Sequence, residues 1–309
     1  MKILLSGLLL LCYLATSAQE GAATVSVKFK KDHGQVIYFQ YGRTIDEHVA
    51  LNAKGGFKER IIDTGFYSVV NSGNVLRIYL EPGMDLTIRK KIKKGNTVYN
   101  FSGDGKDENI FLRHLATEQA KYLPVKWNLL SDEVNFMAPA DFIKRLEQYR
   151  SVSLALLAGQ HFNNYFKVVH AAYIDCLTRK YALQYMENYG VNTAKKKEYI
   201  KALENGDESV RTPDGKQSAL NAVYTKELTY DDRRAVFSHV YKGFNVNNEA
   251  LYKCSAEYCD LIDEWVNYKA KTTSEGGNTF AERRVTIIKN NITNEFMQKR
   301  ILAKYFAQN

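Results

Sequence analysis

The hydrophobic pattern changes period once, at Ser102-Gly103-Asp104-Gly105, and that change divides the chain into two kinds of structure. Before it, apolar residues alternate with polar ones: Val25, Val27 and Phe29 are interleaved with Ser26 and Lys28. Similar short runs, rich in β-branched and aromatic residues, follow at 35–41, 48–51, 57–62, 66–70, 75–80, 86–92 and 97–101. A period of two belongs to strands with one buried face. Turn signals separate the runs. Asp32-His33-Gly34 reads as a hairpin turn, Gly55-Gly56, Asp63-Thr64-Gly65 and Asn71-Ser72-Gly73 as breaks, and Lys94-Gly95-Asn96 as a second hairpin. In Glu81-Pro82-Gly83, proline pre-sets φ and glycine is free to make it positive. Short strands with a turn roughly every 8 to 12 residues predict a small antiparallel β-sandwich or barrel-like domain.

After Gly105 the period becomes about 3.6, the mark of amphipathic helices. Helices are expected over 109–123, 140–162, 165–189, 194–204, 218–228, 231–241, 249–271, 281–290 and 294–306. Pro124, Pro139 and Pro213 fall between them, where helices tolerate proline. The expected fold class is therefore α+β: a β-rich domain over residues 19–104, then an all-α helical domain over residues 105–309.

The N-terminus reads as an address. Lys2 precedes an apolar run from Ile3 to Tyr13, and Ala15-Thr16-Ser17-Ala18 supplies small residues where a signal peptidase cuts. Residues 1–18 are predicted to be a signal peptide, since a membrane span needs roughly 20 apolar residues. No transmembrane anchor is expected after cleavage, and the protein is expected in the periplasm or secreted. Of 309 residues, 45% are hydrophobic and 25% charged, with a formal charge of +9, which excludes a disordered polymer.

Several motifs in order resemble the N-terminal half of secreted thiol-disulfide oxidoreductases of the TlpA/ResA type from Bacteroidetes-like bacteria. They are Gly56-Phe57, Gly65-Phe66-Tyr67, the run from Tyr79 through Glu81-Pro82-Gly83 to Leu86, and Phe101-Ser102-Gly103-Asp104-Gly105 with Asn109 and Leu112. The resemblance implies a β-rich domain of unknown function followed by a helical region, ahead of a thioredoxin fold. It covers roughly residues 1–115. Such oxidoreductases carry Cys-x-x-Cys, and this sequence has none. The chain ends at Asn309, about where a thioredoxin domain would be expected to begin. It therefore reads either as the accessory portion alone or as the front of a longer protein, and the family's redox activity finds no positions to receive it.

Beyond the signal stretch lie Cys176, Cys254 and Cys259. The last two are five apart on an expected helix. That is a rise of about 7.5 Å, beyond the ~7 Å limit for a disulfide, so they cannot bridge unless the helix breaks between them. Three readings stay open: three buried thiols, a disulfide of Cys176 with Cys254 or Cys259, or a reactive thiol. Cys254, Glu257, Cys259, Asp260, Asp263 and Glu264 lie near one another but lack the spacing of a metal site, and they read as an ordinary polar helix face. No metal and no cofactor is expected. Gly-x-Ser-x-Gly, Ser-x-x-Lys and phosphate-loop motifs are absent, and paired carboxylates cannot be recognised without distances.

Arg89-Lys90-Lys91-Ile92-Lys93-Lys94 places five cations in six residues. They read as a solvated edge strand whose lysines block edge-to-edge pairing, with phosphate contact as the alternative. Nucleic acid is not an expected partner. Tyr165, Val169, Tyr173, Leu177, Tyr181, Tyr185 and Tyr189 recur every four residues. Each step drifts by about 40° around a helix, so the stripe winds and reads as a central core helix. The alternative places Tyr181, Tyr185 and Tyr189 in a groove for a peptide or glycan. The resulting expectation is a non-catalytic binding module whose partner is a protein, peptide or glycan of the cell envelope. An envelope hydrolase with its site in the helical domain, or a structural envelope protein, are the alternatives.

Overall fold

The computed structural model describes residues 22–29, 36–42, 44–52, 54–61, 65–71, 74–93, 96–126, 129–274 and 276–306. The predicted signal peptide and the Asp32-His33-Gly34 turn lie outside them. The fold is α+β, a β region followed by helices.

Eight strands form two four-stranded sheets: β1 (Ala23–Lys28), β2 (Val36–Tyr41), β3 (Thr44–Ala50), β4 (Gly56–Ile61), β5 (Gly65–Asn71), β6 (Asn74–Leu80), β7 (Asp85–Lys93) and β8 (Asn96–Gly103). One sheet runs β4-β1-β7-β8 and the other β3-β2-β5-β6. A two-residue ribbon, β9 (Val125–Lys126) with β10 (Leu129–Leu130), follows. The alternation seen in the sequence becomes the burial pattern. Val25, Val27, Leu86, Ile88 and Phe101 from the first sheet meet Ile37, Phe39, Tyr67, Val69 and Ile78 from the second in one core. Each such fully buried side chain contributes about 1.5–3 kcal/mol.

Two expectations change. The strands β1 and β2 do not form a hairpin, because they belong to different sheets. Nor is the sandwich wholly antiparallel. The strand β1 pairs antiparallel with β4 but parallel with β7, Val25 opposite Leu86 and Val27 opposite Ile88. The Pro82-Gly83 turn carries the chain from the second sheet back to the first, so β7 enters beside β1 in the same direction. The edge-strand reading of the basic run fails at Arg89, which is paired on both sides, but not at Lys90–Lys93, which run past the end of β1. From Asp85 to Arg89 it lies between β1 and β8, and only its last residues extend beyond β1.

Among the described residues there are ten α-helices: α1 (Lys106–Gln119), α2 (Pro139–Ala158), α3 (Asn164–Asn188), α4 (Thr193–Glu204), α5 (Pro213–Val223), α6 (Tyr230–Tyr241), α7 (Glu249–Cys254), α8 (Ala256–Thr272), α9 (Phe280–Asn291) and α10 (Glu295–Phe306). Pro139 and Pro213 occupy first turns, where the missing N–H is not needed. The single helix expected over 249–271 breaks at Ser255. Its hydroxyl accepts from the Tyr258 N–H at 3.1 Å and donates to Glu257 at 2.8 Å, a cap that starts α8. None of the described helices is long and apolar enough to cross a membrane.

The chain forms two compact units. The first runs through Ala116 and adds Phe162–Phe166 and Glu249–Cys259; the second comprises Thr117–His161, Lys167–Asn248 and Asp260–Asn309. Helical pieces thus complete the sandwich unit. Phe166 packs against Phe66 at 5.5 Å and edge-on to Tyr79 at 4.8 Å.

Candidate functional site

In the second unit, Asp260, Asp263, Glu264, Asn267 and Tyr268 recur at helical spacing on α8, so they share one face. Lys180 and Glu187, seven residues apart on α3, likewise fall on one side of their helix. The Lys180 ammonium pairs with Asp260 at 2.9 Å, and Lys304 on α10 pairs with Asp263. Glu264 is left without a cation of its own. Its Oε2 is buried and accepts no hydrogen bond among the described residues. Burial chiefly, then the Glu187 carboxylate, pushes the Glu264 carboxyl up to about 7, against the pull of Lys180.

Aromatic rings border this carboxyl. Tyr241 on α6 stacks on Tyr268 at 5.1 Å, and Phe237 meets Tyr241 edge-on at 5.5 Å. Burial raises the Tyr241 phenol, and Glu264 and Glu187 raise it further. A carboxyl raised toward neutrality beside a second carboxyl and a stacked phenol is the kind of perturbed group that recurs at functional sites. The sequence had placed Glu264 on an ordinary polar helix face. The missing element was Glu187, about 80 residues earlier, because only the packing of α3 and α8 makes the two interact.

A shallow cavity of about 320 Å³ opens elsewhere in this unit, lined by Arg284, Val285, Thr286 and Tyr305. The Arg284 guanidinium lies between the Phe280 ring at 4.8 Å and the Tyr305 ring at 4.4 Å. Glu264 and Glu187 are not among its lining residues. No three His, Cys, Asp or Glu side chains among the described residues are arranged to hold a metal ion.

All three described cysteines are buried thiols. Of the three open readings, the structure carries that of buried thiols, with no bridge from Cys176 to Cys254 or Cys259. Cys176 sits within α3, Cys254 ends α7, and Cys259 lies in the first turn of α8. The helix does break between Cys254 and Cys259, yet the Cys259 thiol turns to the Tyr252 carbonyl at 3.1 Å. Arg77 lies near enough to Cys254 to favour its thiolate, but burial outweighs it and the thiol is pushed up.

The tyrosine groove is corrected too. Tyr181 and Tyr185 are buried, Tyr181 edge-on to Tyr149 at 5.5 Å and Tyr185 stacked on Phe142 at 3.8 Å. The Tyr185 hydroxyl donates to the Met137 carbonyl at 2.6 Å. Tyr189 is half-buried and tilted against Tyr185 at 5.4 Å. Both rings pack on α2, Tyr181 against Tyr149 and Tyr185 against Phe142, so that helix covers them.

No protein family matches the chain, and no curated protein matches it. Among solved structures, it is similar to the N-terminal domain of AlgF from P. aeruginosa. That likeness is 18% identical, spans 27% of this chain and 93% of that one, and has a TM-score of 0.21. A likeness at that level carries no argument about function.

Proposed function

We propose that the chain is a non-catalytic binding or interaction module of the cell envelope, periplasmic or secreted, comparable to the accessory half of a thiol-disulfide oxidoreductase. The observation that carries this reading is the state of the described sulfurs: Cys176, Cys254 and Cys259 are all buried, and the surroundings of Cys254 hold it protonated. A thiolate is the attacking species in disulfide exchange, so a buried, protonated thiol is a poor nucleophile. Insulin reduction with a dithiol donor tests the reading. Rates equal to the donor alone are expected, and thiol-dependent turnover that disappears in Cys254→Ser would overturn it.

A second reading rests on Glu264. Its raised carboxyl beside Glu187 and Tyr241 supports an acid–base hydrolase site in the helical unit. A broad screen of ester, glycoside and peptide substrates separates the two readings. Hydrolysis lost in both Glu264→Gln and Glu187→Gln would favour the enzyme, and no turnover on any substrate favours the binding module.

A further inference from the structure

The β4-β1-β7-β8 sheet turns Val25, Val27, Leu86 and Ile88 into the core, which leaves the alternate residues on its outer face. Those residues include Lys28, Lys58, Arg89, Lys91 and Lys93, all exposed. The register brings them together. Lys28 stands directly opposite Arg89, and Lys58 stands opposite Ser26, one step along the same face. Across β7 the partners of Arg89 and Lys91 are Asn100 and Val98, which carry no charge. Asp85 is on this face too, but at its far end opposite Thr24. Among the described residues none of the five cations is in an ion pair. Lys90, on the other side of the strand, lies over the Phe29 ring at 5.8 Å.

Like charges directly opposite across a sheet destabilise it, so Lys28 facing Arg89 is an arrangement from which folding gains nothing. The charges also spread in two dimensions. Arg89 to Lys93 covers about 13 Å along the strand, and β4 to β7 about 10 Å across it. A linear polyanion is matched by a single row of cations, whereas a plane of phosphates is matched by a plane of them. Ile92, half exposed, stands on the opposite side of β7 and cannot anchor this face in lipid.

We propose that this sheet face docks on the anionic surface of a phospholipid bilayer. The attachment is electrostatic and reversible, without an inserted anchor, and weakens as salt rises. It does not depend on whether the chain turns over a substrate.

Vesicle flotation of the chain without residues 1–18 tests it, since the apolar run there would itself enter lipid. Binding is expected to vesicles rich in phosphatidylglycerol and not to phosphatidylcholine alone, with release at high salt. The Lys28→Gln/Arg89→Gln/Lys91→Gln variant should bind about tenfold more weakly or worse. Removing the same charge from α4, as Lys195→Gln/Lys196→Gln/Lys197→Gln, should leave binding within about twofold, because those lysines are not on the face. Lys28→Arg/Lys91→Arg, which keeps the charge, should bind like the parent. Circular dichroism checks that each variant is folded, and Lys91→Glu alone replaces the triple variant if that one unfolds. The proposal is overturned by no binding to anionic vesicles, by equal binding to neutral ones, or by equal losses in the two triple variants. Binding to heparin or duplex DNA without binding to vesicles also overturns it.

Discussion

The side-chain amide of Asn109 holds both backbone groups of Tyr79. Its Oδ1 accepts from the Tyr79 N–H at 2.9 Å, and its Nδ2 donates to the Tyr79 carbonyl at 3.0 Å. Among the described strands β6 is the edge of its sheet, so these groups meet no described strand on that side. Asn109 supplies one from α1, and its Nδ2 also donates to the Gly105 carbonyl at 2.7 Å.

Asn109→Leu should therefore leave two buried backbone groups unsatisfied and cost about 2–4 kcal/mol in denaturant unfolding. The neighbouring Ile110 is exposed, and Ile110→Leu should change stability by less than about 0.5 kcal/mol. Equal effects at the two positions would show that the clip contributes nothing.

Two glycines with similar backbones should respond differently to alanine. Gly103 has φ +90°, and a Cβ there would lie 2.0 Å from the Asp85 carbonyl oxygen. Gly83 has φ +82°, with nothing within 4 Å of its Cβ position. Gly83→Ala should cost only the left-handed conformation, about 1–2 kcal/mol. Gly103→Ala must in addition move β7 away from β8, and its midpoint in denaturant should fall clearly below that of Gly83→Ala.

The Glu264 carboxyl gives stability a pH dependence of definite sign. Its folded value, pushed up to about 7, exceeds the ordinary 4.5. Between the two the native state binds more protons than the unfolded state, so stability falls as pH rises from about 4.5 to 7. The loss should be of the order of 1–3 kcal/mol. Glu264→Gln should flatten that slope, seen as unfolding midpoints across the range, and an unchanged slope would count against the buried carboxyl.

The tyrosines of α3 should behave as core. Phe142→Ala empties the stacking partner of Tyr185 and should cost about 3–5 kcal/mol. Tyr185→Phe keeps the ring and loses one hydrogen bond to Met137, about 1 kcal/mol. Thermal unfolding of both variants checks the ranking. A stable Phe142→Ala protein would show that the stack is peripheral.

How much of this was legible follows from the range of each signal. Period-two alternation placed the strands, and the 3.6 period placed the helices, because both are set within a few residues. The break at Ser255 was hidden. Cys254-Ser255-Ala256-Glu257 lies in a run of helix-compatible residues, and the acid of a capping box would stand one position later. Parallel pairing of β1 with β7 depends on about 60 intervening residues and leaves no local trace. Tyr185 and Glu264 show the same limit at single side chains. A ring that winds around a helix is equally suited to a groove or a core, and a carboxylate on a polar face looks ordinary until Glu187 approaches it.

The position of β1 has a consequence for how the amino terminus can be trimmed. Sheets are usually forgiving at their margins, where one lost strand leaves the others joined. Here the strand that starts at Ala23 is the seam between β4 and the β7–β8 pair. A protease that nibbled a handful of residues past Ala22 would not shorten the sandwich but unzip it down the middle.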